Sequence, residues 1–338
     1  MAAPFLHIPD FLKDASMGIV VHSYASRWNS RTESNKYPGF RDAMDLLEHC
    51  HSIGAGGIQV VVRNWTSDFA KKVRDRRERL DMFLEGSIGL PADADDVARF
   101  EKDISAAQEV GATIVRTVCL NGRRYENFHS LDEYLAFTEK SKTSLQLAEP
   151  IVRKHKIRLA VENHKDWRAA ELADILGKLG SEWVGATLDF GNNVALIEDP
   201  MDVVNTLAPF AFSTHVKDMG VREYDEGFLL SEVPLGEGIL DLKQMFAVCR
   251  KHRPDIHFNL EMITRDPLKI PCLQSIFWQT FPAAEPEELA GILRLVRQHP
   301  FRPALPVVST LDADARLEAE EQNVLTSLRY SKTDLGMD

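Results

Sequence analysis

Short apolar runs recur along this chain, and each is followed by a stretch whose apolar positions repeat at helical spacing. Residues 17–22, Met-Gly-Ile-Val-Val-His, are the first strand candidate, followed by a polar loop with Tyr24, Trp28 and Arg31. Residues 40–53 place Met44, Leu47 and Ile53 on one helical face, and Gly54, Gly56 and Gly57 close that helix. Residues 58–62 form the second strand, closed by Arg63 and Asn64. The helix predicted over 69–82 is strongly charged. Asp75, Glu78 and Asp81 are interleaved with its arginines, which marks a solvated face rather than a phosphate site. Strands over 83–90 and 113–120 flank a helix over 93–110 that ends at Gly111. Leu131–His155 reads as one long helix, or as two with Pro150 at the start of the second. Strands Arg158–Glu162, 184–188, 210–216 and His257–Leu260 then alternate with helices Ala169–Leu179, 201–207 and 240–252.

Eight such strand–helix units predict an α/β fold, a single closed parallel (β/α)8 barrel over residues 1–300. A doubly wound open sheet would offer a glycine-rich turn after its first strand, and Ser23-Tyr24-Ala25-Ser26 is not one. Residues 287–298 read as the eighth helix. The amphipathic segment 312–328, with Leu317, Val324 and Leu328 on one face, predicts a C-terminal helical extension over 301–338. It would pack on the barrel or on a partner subunit.

Four of the runs end abnormally. Glu162, Asp189, His215 and Glu261 stand at or near the carboxyl ends of the last four strands, where a barrel builds its active site. Each has a local explanation: Lys165 for Glu162, Arg265 for Glu261, a turn for Asp189, a hydrogen-bonded core position for His215. Adjacent strands nevertheless bring all four together, and three carboxylates around an imidazole require a cation. Oxygen-rich ligation with one nitrogen suits one divalent metal ion, Mn²⁺ first or Mg²⁺, with Zn²⁺, Co²⁺ or Fe²⁺ allowed.

Composition narrows the partners. The 338 residues carry a net charge of −11, against general affinity for nucleic acid or an anionic membrane. No run is long enough to span a bilayer. Cys50, Cys119, Cys249 and Cys272 are scattered, as expected of reduced thiols, and residues 1–13 lack the features of a signal peptide, so a cytoplasmic location is expected.

The segments Val-Glu-Asn-His, Thr-Leu-Asp-Phe-Gly-Asn, Thr-His-Val-Lys-Asp and Asn-Leu-Glu-Met resemble the xylose isomerase-like TIM barrels, as does Pro-Leu-Gly-Glu-Gly at 234–238 with Asp241 after it. That superfamily includes sugar epimerases, ketose isomerases, inosose dehydratases and AP endonucleases. The resemblance implies Glu162, Asp189, His215 and Glu261 as metal ligands. It also implies a sugar or keto-sugar substrate, and possible homo-oligomers. The endonuclease branch needs three zinc ions and further histidines. This chain has Asn192 where that branch has a histidine, and Arg63-Asn64 and Leu120-Asn121 at two other strand ends, so DNA repair is not expected.

The implied chemistry is that of an isomerase or epimerase: proton transfer beside a metal-chelated carbonyl, with Glu162 and Glu261 exchanging the proton. Arg116 and Lys217 would stabilise the enolate charge. Lys217 could instead pair with Asp218. His22, Arg116, Lys165 and Asn192 are candidate substrate contacts. His164 is an additional base, and it suits the alternative, a lyase performing β-elimination on a 3-keto sugar, inosose or keto-glycoside. The loop over 221–238 and the aromatic segment 271–281 are candidate lids.

Overall fold

The structure, a computed structural model, describes residues 16–29, 34–282 and 286–337. Arg31 and residues 1–13, read above for an export signal, lie outside the described residues. The barrel strands are β1 (Gly18–Val20), β2 (Gly57–Val61), β3 (Phe83–Ser87), β4 (Ile114–Thr117), β5 (Arg158–Glu162), β6 (Val184–Asp189) and β7 (Ala211–Val216), and it is closed by β10 (His257–Leu260). Their order is β1-β10-β7-β6-β5-β4-β3-β2, every pair parallel, so the eight-stranded closed barrel is as the alternating pattern predicts.

Closure depends on small residues where strands crowd. A Cβ on Gly57 would stand 2.5 Å from the Phe83 ring. The helices follow with slightly moved ends, because capping side chains set them. Asp42 accepts from the amides of Met44 and Asp45 and starts the helix Ala43–Ser52, and Thr66 caps Ser67–Arg79. Leu131–His155 is a single helix with Pro150 inside it.

Two expectations are corrected. Strand β1 stops at Val20, and His22 sits on a 3-10 turn, Val21–Tyr24, that leads into the short helix Ala25–Asn29. The stretch 221–238 is not a loop. Asp218–Tyr224 (β8) and Gly227–Val233 (β9) form an antiparallel hairpin, and Leu268–Ile270 (β11) adds a third strand beside β9. The Asp225-Glu226-Gly227 turn was the available signal: Gly227 has φ +154°, and a Cβ there would meet the Ile270 carbonyl at 2.1 Å.

The Pro-Leu-Gly-Glu-Gly motif follows this hairpin. Asp218 accepts backbone N–H groups from Met219, Gly236, Gly238 and Leu240 at 2.8–3.1 Å. A Cβ on Gly238 would stand 2.1 Å from that carboxylate. Asp241 caps the helix Leu242–His252. In the aromatic segment, Arg124 donates to the Thr280 hydroxyl and carbonyl at 3.0 and 2.6 Å, pinning the 3-10 helix Ser275–Thr280.

The C-terminal helix Ala313–Thr333 lies against the His22 turn. Glu320 accepts the amides of Ser26 and Arg27 at 2.7 and 3.1 Å, and Glu321 takes the Arg27 guanidinium at 2.8 Å. Among the described residues, no helix is long and apolar enough to cross a membrane.

Candidate metal centre

Strands β5, β6 and β7 deliver Glu162, Asp189 and His215 in register, Glu162 opposite Thr187 and Asp189 opposite His215. Glu261 follows β10 directly, its amide bonded to the Val216 carbonyl. The four side chains are buried, and one ligand atom from each lies within 4.8 Å of the others. This cluster could hold a metal ion, and its local chemistry fits one.

The deciding atom is His215 Nδ1. Glu85 is a carboxylate and can only accept, so Gln59 turns its Nε2 to Glu85 at 3.0 Å. The Gln59 Oε1 therefore faces His215 Nε2 at 2.8 Å, and that nitrogen must carry a proton. The remaining Nδ1 of a neutral ring is a lone pair without a hydrogen-bond partner. It faces Glu162 and Glu261 at 3.4 Å each and Asp189 at 3.9 Å. Without a dication the ring must protonate instead: burial opposes the charge, yet Glu261 and Glu162 push its pKa up to about 9. Asp189 Oδ2 likewise lacks a hydrogen bond, although Lys217 Nζ stands 2.7 Å away off the hydrogen-bonding direction.

The outer contacts differ from the local alternatives offered by the sequence. Glu162 pairs with Arg116, whose Nε is 2.6 Å from Oε2, and its Oε1 accepts from Asn192 at 3.0 Å. Burial opposes ionisation of Glu162, but Arg116 and His215 hold its pKa well below the usual range. Lys217 does not pair with Asp218, whose oxygens are taken by backbone amides. Its Nζ reaches Glu261 at 2.6 Å, Asp189 at 2.7 Å and Asn192 Oδ1 at 3.3 Å. Glu261 is also depressed, by Lys217 and His215 against burial. Arg265 pairs with Glu232 of β9, with Nε 3.0 Å from Oε2.

Lys165 donates to Asn192 Oδ1 and has φ +67°, a left-handed conformation that costs a non-glycine residue roughly 1–2 kcal/mol. Burial, with Lys217 and Arg265 nearby, lowers its pKa to about 8. His164 turns Nδ1 to the Leu120 carbonyl at 3.0 Å, and burial pushes its pKa down to about 3. The half-exposed His22 approaches Glu261 Oε1 at 3.1 Å and marks the open edge.

Gln59, Glu85 and Glu232 were missed by sequence reasoning. Glu85 inside Phe-Leu-Glu-Gly-Ser and Gln59 inside Gly-Ile-Gln-Val-Val were visible as polar residues within strands. Only barrel closure shows that they meet. Glu85 also takes Ser213 at 2.7 Å, Asn259 at 3.1 Å and His257 at 2.9 Å across the interior.

Comparison with known proteins agrees with this architecture. A protein of Pectobacterium atrosepticum named 3-oxo-isoapionate decarboxylase is 25% identical over 252 residues, which is 72% of this chain and 85% of that protein. A xylose isomerase-like TIM barrel protein of Mycobacterium smegmatis, solved in complex with magnesium, superposes with a TM-score of 0.56 at 14% identity, covering 85% of this chain and 98% of that one. D-psicose 3-epimerase of Clostridium cellulolyticum H10, solved with D-tagatose, gives 0.56 at 11% identity over 84% and 97%. These two show the fold. The sequence profile described as xylose isomerase-like TIM barrel matches residues 81–294, well over half of the chain. That span carries six of the eight barrel strands, β3 to β7 and β10, together with Glu162, Asp189, His215 and Glu261, and by it this chain belongs to the xylose isomerase-like TIM barrel family.

Proposed function

We propose that this chain is a divalent-metal-dependent enzyme acting on a keto sugar or a close derivative, by chemistry at the carbon beside a carbonyl. The observation that carries this reading is the partnerless Nδ1 of His215, fixed by Gln59 and turned into three carboxylates. Glu162, Asp189, His215 and Glu261 would hold the ion. An ion bound there supplies Lewis acidity toward substrate oxygens; Mn²⁺ is the first expectation, with Mg²⁺, Co²⁺, Zn²⁺ and Fe²⁺ open.

The chain's own groups separate two reactions. An isomerase or epimerase needs carboxylates basic enough to take a proton from carbon and return it. Here Arg116 is bonded to Glu162 and Lys217 to Glu261, each at 2.6 Å, and both carboxylates are held far into their ionised, weakly basic form. This observation favours a lyase that breaks a carbon–carbon bond, a reaction that takes no proton from carbon. In it, the electron pair of the breaking carbon–carbon bond passes to the carbonyl oxygen as CO2 leaves, Arg116 and Lys217 steady that negative charge, and the carbon then takes a proton. His164, held neutral because burial pushes its pKa down to about 3, would be a weak base for the β-elimination alternative. The name of the Pectobacterium relative, a decarboxylase, points in the same direction.

Turnover in deuterium oxide with Mn²⁺ decides between them. Free sugars, sugar phosphates, keto acids and 3-keto glycosides are screened by mass spectrometry. An epimerase returns substrate labelled at one carbon. A lyase gives a shortened or unsaturated product with release of CO2 or a leaving group. Absence of bound metal in a folded, Mn²⁺-treated protein overturns both.

A further inference from the structure

Four carboxylates surround the centre, Glu162, Asp189, Glu261 and Glu232, and four cations stand among them, Arg116, Lys165, Lys217 and Arg265. Three of the cations are committed. Arg116 is bonded to Glu162, Arg265 to Glu232, and Lys217 bridges Asp189 and Glu261. Lys165 is not. It is 4% exposed, and among the described residues no carboxylate comes within ion-pairing distance of its ammonium. Its hydrogen-bond partner is the neutral Asn192 Oδ1, which Lys217 approaches as well, at 3.3 Å. Asp166, next in the chain, is outside that distance, and its Oδ1 is taken by the amides of His164 and Trp167. His22, His164 and His215 add no negative charge.

With His215 neutral, as ligation requires, these four carboxylates and four cations balance one another. A dication adds two positive charges in a place largely closed to water, beside a lysine that already has no counterion. Unpaired buried charge is unfavourable, so the loaded site selects an anion. We propose that Lys165, with Lys217 beside it, is the seat for a carboxylate carried by the substrate, so that this enzyme takes an acidic keto sugar rather than a neutral one. The proposal rests on the metal-dependent reading above. A carboxylate fits better than a phosphate, because one uncommitted monocation matches one negative charge. A phosphate dianion would find no second uncommitted cation among the described residues, since both guanidinium groups already hold carboxylates. The second positive charge left by the metal then answers the negative charge that develops during reaction.

The test uses the full chain and isothermal titration with L-tartrate, whose one end chelates while the other carries a free carboxylate. Threitol is the neutral counterpart, and inorganic phosphate the alternative anion. In Mn²⁺-loaded protein, tartrate should bind more tightly than threitol or phosphate. Lys165→Met should weaken tartrate by about tenfold or more, as expected for loss of one partner of a desolvated charge pair. The same variant should still take up one Mn²⁺ and should lose far less affinity for threitol than for tartrate, and Lys165→Arg should restore much of the tartrate affinity. Should Lys165→Met fail to fold, Lys165→Gln replaces it, with thermal melting as the control. Equal tartrate binding by wild type and the neutralised variant overturns the carboxylate seat, as does Lys165-dependent binding of phosphate in preference to tartrate. The two readings fail separately: a folded wild type that takes no Mn²⁺ sinks the metal-dependent reading, whereas one that takes Mn²⁺ and binds threitol as well as tartrate sinks only this one.

Discussion

Gln59 Oε1 lies 2.8 Å from His215 Nε2, and this single contact sets which nitrogen of the ring faces the carboxylates. Its orientation is inherited from Glu85, which accepts the other end of the Gln59 amide. Removing the acceptor frees the ring to change tautomer. Gln59→Leu should therefore weaken divalent-metal affinity by about 10- to 100-fold, the range found for outer partners of metal-bound histidines. Titration of Mn²⁺ into the variant checks it, and unchanged affinity refutes the tautomer argument.

Glu162→Gln and Glu261→Gln keep side-chain volume and hydrogen-bonding capacity but remove one anionic ligand each. Metal affinity should fall by more than about 100-fold, beyond the loss from an outer partner, and turnover should disappear. Far-ultraviolet circular dichroism should be unchanged. Stoichiometric metal retained by both variants would show that the ion sits elsewhere.

His164→Ala separates the two reactions. The residue is held neutral and its Nδ1 is engaged with Leu120, so Nε2 is the only ring nitrogen available to a substrate. An eliminating lyase should lose about 10²-fold or more in kcat, the usual contribution of a positioned base. Proton exchange by an epimerase should be nearly unaffected. Equal activity of variant and wild type in an elimination assay removes His164 from the mechanism.

Stability should fall between mildly acidic and neutral pH when metal is chelated. Burial raises the pKa of Glu320 to about 7 where it holds the amides of Ser26 and Arg27. The folded chain therefore keeps a proton that the unfolded chain gives up near its ordinary value of about 4.5. Stability is lost as pH rises across that window, by on the order of 2 kcal/mol for this group. Glu198, raised to about 7, and Asp218, raised to about 6, act in the same direction. Thermal melting of wild type and Glu320→Gln in EDTA across this range should show a shallower slope for the variant; parallel curves refute the assignment.

The residues differ in how legible they were. The four candidate ligands were readable because a titratable group ending an apolar strand is anomalous by itself, whatever its neighbours. Of the two readings of Lys217, the pairing with Asp218 falls away: Asp218 is adjacent in sequence, yet alternation along an extended backbone sends it toward the Gly236 and Gly238 amides, while Lys217 shares the inward face with His215. The β8–β9 hairpin is hidden by a (β/α)8 pattern, which leads one to expect one strand per repeat, although its turn chemistry is present in the sequence.

By itself, the sequence determined the periodicity of strands and helices, hence the barrel, and the set of donors at its carboxyl end. Both are local properties, because strand period and the anomaly of a charged strand end are written in neighbouring residues. Only the tertiary structure decided the pairing. Arg116 is 46 residues from Glu162, Gln59 is 156 from His215, and His22 is 239 from Glu261. Such contacts arise from closure and register of the barrel, which bring distant strands to a common axis, so no reading of neighbouring residues specifies them.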